Sequence, residues 1–267
     1  MKKITPFLLL ILLVSCNTVS TFYQVYKTKS ETVKSLNANT LVFEDANCKI
    51  TYNLWANHGN AGFGFYNKTN ETIYLLLDES FYIINDNAYD YYQNRIFSNT
   101  TNSTLVTTKT SGFSSLGRLS LSAYTSNTLS SNSTSGEQRI ESKQIAIPSK
   151  TTKTISEFDI NQTVFRDCDL LRYPSSKQTS TKVFSQESTP LKFYNTITYK
   201  LGDKINKVKN DFYVSDITNI SEKDILTQQK NDFCNQRGGG TISVFKDNTP
   251  EKFYLTYTKV QTDTWKY

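Results

Sequence analysis

The sequence predicts an all-β fold, and three observations carry that prediction. Strand-forming residues abound, with 17 Tyr and 16 Phe among 267 residues, and aromatic and β-branched side chains suit a pleated, half-buried surface. Short alternating apolar runs recur between Asn/Gly turn clusters, notably across residues 39–92. Turns every 8 to 12 residues over such runs mark a sandwich or a barrel.

Ahead of these strands stands an export signal. Lys2 and Lys3 open the chain, Phe7 to Val14 form an apolar run, and Ser15 precedes Cys16. A basic start, a short apolar core and a small residue before the cut define such a signal. The run is eight residues long. At ~1.5 Å per residue it spans ~12 Å, against ~30 Å of hydrocarbon, too short for a membrane span. Leu13-Val14-Ser15-Cys16 resembles the lipobox of bacterial lipoproteins. The resemblance implies cleavage between Ser15 and Cys16 and lipidation of Cys16. A simple secretory signal is the rival reading. Residues 1–15 are thus read as the signal, 16–20 as the lipidated cysteine with a short tether, and 21–267 as one domain.

The elements follow in order. Residues 21–28 (TFYQVYKT) read as the first strand, and 31–39 as a polar loop. Strands are expected at 41–43, 49–55, 61–66 and 72–77, with a hairpin at 81–84 and 88–92 around Asn85-Asp86-Asn87. Serine and threonine make 21 of the 39 residues at 98–136. Such a stretch buries too little to offset its ordering entropy, so it reads as a long surface loop. A pair of Ser/Thr-rich strands around 116–124 is the alternative. Long loops in compact domains are often functional, which makes this one the candidate contact region. Strands resume near 144–147 and 155–160, an insertion fills 161–182, and 191–199 and 211–217 are strands. Ser221 with Asp224 three residues on reads as a capping box opening a surface helix over 221–236, closed by Arg237 and Gly238. Residues 241–245 and 253–258 read as a closing hairpin.

The run 62–92 (GFGFYNKTNETIYLLLDESFYIINDNAYDYY) looks like the opening strands of small immunoglobulin-like modules. With the lipobox, and with IPSKTTKTISEFDI (147–160) and NDFYVSDITN (210–219), the chain is similar to uncharacterised envelope lipoproteins of Bacteroides-type bacteria. The resemblance covers about half the mature chain. It implies an immunoglobulin-like antiparallel β-sandwich with extra strands and carries over no catalytic residue.

Function classes narrow by exclusion. Formal charge is +6, or +4 once Lys2 and Lys3 are lost (28 Lys+Arg against 24 Asp+Glu). Scattered lysines read as a solvated surface, without the basic stripe of a nucleic-acid binder. His58 is the only histidine, so a site with two histidine ligands is excluded. It lies in the turn Asn57-His58-Gly59-Asn60 and would have to serve any Ser-His-Asp or Cys-His mechanism. Glu44/Asp45, Asp78/Glu79 and Asp167/Asp169 are the close carboxylate pairs, and only the last could share a face for hydrolytic work. Cys48, Cys168 and Cys234 allow one disulfide at most, with the pairing open. The Gly238–Gly240 run follows a helix instead of preceding one, the reverse of a phosphate loop. No motif calls for a cofactor or a metal. Trp55, Tyr91, Tyr92 and Trp265 (with Tyr89) are the candidate sugar-stacking residues.

The expected protein is a lipid-anchored, non-catalytic binding or assembly module of the outer membrane. Its partners are the membrane, through the anchor, and an envelope protein or glycan. An envelope hydrolase acting on glycan or peptide and a carbohydrate-capture lipoprotein are the alternatives. Residues 17–26 contain no acid, whereas the surface-export cue of the resembled lipoproteins is a short acidic run. The periplasmic face is therefore expected over the cell surface.

Overall fold

A computed structural model describes residues 19–100, 111–114, 120–123, 136–231 and 240–260. The strands, in chain order, are β1 (Ser20–Lys29), β2 (Lys34–Asn37), β3 (Thr40–Glu44), β4 (Cys48–Tyr52), β5 (Phe63–Asn67), β6 (Ile73–Ile84), β7 (Asn87–Asp90), β8 (Ile96–Thr100), β9 (Ser111–Ser114), β10 (Ser120–Ala123), β11 (Gly136–Ile140), β12 (Gln144–Ile147), β13 (Thr152–Ile155), β14 (Thr181–Val183), β15 (Lys192–Leu201) and β16 (Lys204–Ser221). A single turn of helix, α1 (Glu222–Ile225), precedes β17 (Leu226–Lys230), β18 (Thr241–Phe245) and β19 (Lys252–Lys259). The fold is all-β, as the composition and turn spacing predict.

Two antiparallel sheets make a sandwich. The larger has eight strands, ordered β12-β6-β15-β16-β1-β19, with β14 added on β16 and β7 on β6. The smaller has five, ordered β13-β5-β4-β3-β2. Alternation sets the faces: β4 and β5 each bury every second residue, so Ile50, Tyr52, Phe63 and Phe65 point inward and are at most 2% exposed. They meet the larger sheet ring on ring, Tyr52 on Phe212 at 5.2 Å and Phe65 on Tyr199 at 5.3 Å. Burying such rings is the main stabilising term of the fold.

The interior is threaded with amides. Tyr52 donates its hydroxyl to Asn210 Oδ1 at 2.8 Å, and Tyr91 to Asn195 Oδ1 at 2.8 Å. Asn195 in turn donates to the Ala61 carbonyl at 2.9 Å. Tyr26 donates to Gln24 Oε1, and Gln24 Nε2 donates to Asn219 Oδ1 at 2.8 Å. A buried hydroxyl needs such partners, since an unmet one costs about 1–3 kcal/mol. Tyr82 is the exception: its buried hydroxyl meets no hydrogen-bond partner among the described residues.

Several expectations need correction. The helix expected over 221–236 is one turn. Ser221 Oγ does reach Asp224, at 2.6 Å to Oδ2, but caps no backbone amide. Leu226 turns extended and β17 begins there. The apolar stripe of Ile225 and Phe233 is too thin to hold four turns, and Phe233 lies outside the described residues. The closing hairpin also differs: β18 pairs β17, while β19 pairs β1 from Lys252↔Lys27 to Lys259↔Ser20. Residues 34–37, read as loop, form β2 on the edge of the smaller sheet. The strands expected at 72–77 and 81–84 are one strand, β6, with a register shift against β15. Ser80 closes that irregularity, donating to the Leu76 carbonyl at 2.6 Å and accepting from the Thr198 amide at 3.0 Å. The 98–136 stretch lies largely outside the described residues. Its described parts are the pair β9–β10, the last three residues of β8 and the first of β11; among the described residues β9 pairs with β10 and β8 with β11.

Candidate functional site

The catalytic candidates are held by structural bonds. His58 sits at φ 68°, in the left-handed region that turn residues adopt. Its amide donates to the Tyr254 carbonyl at 2.8 Å, and its carbonyl accepts from Ile160 and Asn161 at 3.0 and 2.9 Å. The Nδ1 atom lies 3.2 Å from the Asn161 carbonyl. His58 thus pins the 56–60 turn to β19 and to the start of the 161–182 insertion.

Most of the paired acids are likewise bonded. Lys182 Nζ stands between Asp167 (2.5 Å) and Asp169 (3.3 Å). The Lys182 ammonium and the Asp169 amide hold the Asp167 carboxyl below the ordinary carboxylate range. Both acids of this pair are thus bonded to one ammonium, with the Asp167 side chain largely covered and the Asp169 side chain open to solvent. Glu44 bonds Lys68 at 2.7 Å, Asp78 pairs with Lys143 at 3.6 Å, and Asp45 caps the Asn47 and Cys48 amides, both at 2.7 Å. Cys48 is buried and Cys168 exposed, both as free thiols. Burial, then Asp45, pushes the Cys48 thiol up, away from the reactive thiolate. Among the described residues no group of three His, Cys, Asp or Glu side chains could hold a metal.

Two of the sugar-stacking candidates are buried. Trp55 is 3% and Tyr91 1% exposed. Trp55 packs edge-on to Phe245 at 4.9 Å, and Tyr91 edge-on to Phe63 at 5.6 Å. Both are core residues and present no face to a sugar. Tyr92 is half-buried with Lys143 over its ring at 5.6 Å, Tyr89 is exposed, and Trp265 lies outside the described residues.

What stands free is the root of the Ser/Thr-rich stretch. Ile96 and Ile140 are cross-strand partners in β8 and β11, so they share a face. They are 63% and 72% exposed, and Phe97 is 52% exposed. Below them a charged bracket fastens the ribbon. Glu141, nearly buried, accepts from the Gln93 amide at 2.9 Å, the Arg95 amide at 3.0 Å and Arg95 Nε at 3.1 Å. Arg95 Nη1 reaches Glu157 Oε2 at 2.6 Å. Burial raises the Glu141 carboxyl, but the Arg95 guanidinium and the two amides outweigh it and hold the group below the ordinary range. The sequence carries no motif for this bracket, because Arg95 precedes the stretch and both acids follow it, 46 and 62 residues beyond Arg95. The signal available was the exposed apolar pattern IF…I flanking a polar run. The arrangement can present apolar side chains on a fixed root.

One open groove of about 340 Å³ lies at the rim between the sheets, lined by Thr28, Lys29, Val33, Leu41, Phe212 and Glu251 among others. Among the described residues no helix is long and apolar enough to cross a membrane. Comparison with protein-family models, with curated proteins and with solved structures finds no match for this chain.

Proposed function

We propose that this chain is a lipid-anchored bacterial envelope protein. Its sandwich is a non-catalytic scaffold, and the Ser/Thr-rich stretch on its Arg95–Glu141–Glu157 root is the binding or assembly element. The observation that carries the reading is the order basic start, eight-residue apolar run, small residue, Cys16. The start of β1 supports it: Ser20 is already in the sheet, four residues past Cys16. An anchor so close to the first strand ties the whole domain to the bilayer. The commitment of His58, Asp167 and Asp169 to structural bonds favours a binding role over hydrolysis. The absence of acid after Cys16 favours the periplasmic face of the outer membrane.

Labelling with an alkyne fatty acid in a lipoprotein-processing bacterium tests the reading. The wild-type chain takes the label and sediments with outer membranes, and Cys16→Ala does neither. Equal labelling of both chains, or a wild-type chain free in the periplasmic extract, contradicts it. Protease treatment of intact cells leaves the chain whole if it faces the periplasm and degrades it if it faces outward.

A further inference from the structure

Resting on the anchoring reading, we infer that one end of the sandwich, around Lys259, Val260 and Tyr173, lies against anionic phospholipid headgroups. The length of the chain ahead of the sheet fixes which end that is. Val19 follows Cys16 by three residues, and three extended residues span at most about 10 Å. A diacylated Cys16 therefore brings the start of β1 to within a headgroup layer of the bilayer. Register places the partners there: Ser20 pairs with Lys259, and Phe22 with both Tyr257 and Ser221. The far end is remote. Ile205 stands 16 residues from Ser221 along β16, about 50 Å of strand.

The chemistry of the near end suits an interface. Val19 and Val260 are 67% and 59% exposed. Behind them Tyr173 packs on Phe22 at 5.2 Å, and its ring carries two cations, Arg172 at 5.1 Å and Lys259 at 5.3 Å. Lys223 and Glu222 follow directly in α1, both exposed. Asp224 is engaged by Ser176 and Ser221. Among the described residues Lys223, Lys246 and Lys259 stand here with Glu222 and Asp224, an excess of positive charge that attracts phosphate headgroups. Tyrosine beside aliphatic side chains is the composition that settles at a membrane–water boundary. The anchor supplies attachment, and this end supplies orientation, holding the rest of β16 away from the membrane.

The test uses the full chain, matured in a lipoprotein-processing host with Cys168→Ser and Cys234→Ser. A bimane probe is attached at Val260→Cys or, as control, at Ile205→Cys. The protein is reconstituted in phosphatidylethanolamine–phosphatidylglycerol vesicles carrying headgroup spin label. Quenching at 260 is expected to be about threefold that at 205, because interfacial attraction acts only within a Debye length. Lys223→Glu with Lys259→Glu is expected to reduce the quenching at 260 by about half while flotation stays complete. Equal quenching at the two sites in floating protein, or quenching unchanged by charge reversal, overturns the inference and leaves the anchor standing. A chain that carries no acyl label and does not float overturns the anchoring reading and this inference with it.

Discussion

The interior of the sandwich and the root of the Ser/Thr-rich stretch solve the same polar problem in opposite ways. In the interior, hydroxyls and amides are sealed among aromatic rings and answer one another, Tyr52 to Asn210 and Tyr91 to Asn195. At the root, charges sit low, with Glu141 buried and Arg95 pairing it and Glu157, while apolar side chains stand outward at Ile96, Phe97 and Ile140. The first arrangement serves stability and is spread over the whole core. The second leaves Ile96 and Ile140 largely exposed among the described residues, with only Phe97 covered in part by the Arg95 guanidinium. Stability and contact are therefore separable here, and substitutions should divide along that line.

The largest effect is expected in the core. Phe65→Ala removes a ring with no measurable exposure and should cost about 3–5 kcal/mol in urea denaturation. Tyr52→Phe strips Asn210 of its donor and should cost about 1–3 kcal/mol. Tyr82→Phe should be neutral or stabilising, since the hydroxyl it removes has no described partner. A loss at Tyr82 equal to that at Tyr52 would break the account of the amide-threaded interior.

The root comes next. Glu141→Gln keeps the shape and removes the charge, and should cost about 2 kcal/mol through its charge-assisted bonds to Arg95. The same bracket gives a pH signature. The folded-state carboxyl of Glu141 is held below its ordinary value, so its stabilisation is fully present above the unfolded pKa. It is lost as pH falls through the folded value. Denaturation midpoints of wild type and Glu141→Gln should therefore converge under acid and separate near neutrality.

The smallest stability effect belongs to the exposed apolar pair. Ile96→Ser with Ile140→Ser should change stability by about 0.5 kcal/mol or less. In envelope cross-linking through a photo-probe at 97, the double variant should lose the adducts of the wild type. A large loss of stability with adducts unchanged would place these residues in the fold and not in the contact.

Most of the sandwich was legible because its inward faces alternate cleanly. KITYNLW and AGFGFY become β4 and β5 with every second side chain buried, as period-two patterning requires. Legibility failed where partners are distant in sequence. The closing strands were read as a hairpin because neighbours in sequence usually pair, yet β19 pairs β1 at the other end of the chain. Trp55 and Tyr91 read as sugar-stacking candidates because local sequence does not show which aromatic rings the fold covers. Their burial comes from Phe245 and Phe158, far along the chain. The one-turn α1 shows how a capping signature starts a helix that only an apolar face can prolong.

The account depends most on Cys16, and intact mass spectrometry of the membrane-extracted chain tests it most directly. The predicted mass is that of residues 16–267 plus a diacylglyceryl group, with the added mass localised to Cys16 by fragmentation. A chain beginning elsewhere, or beginning at an unmodified Cys16, would contradict the anchor and the orientation built on it.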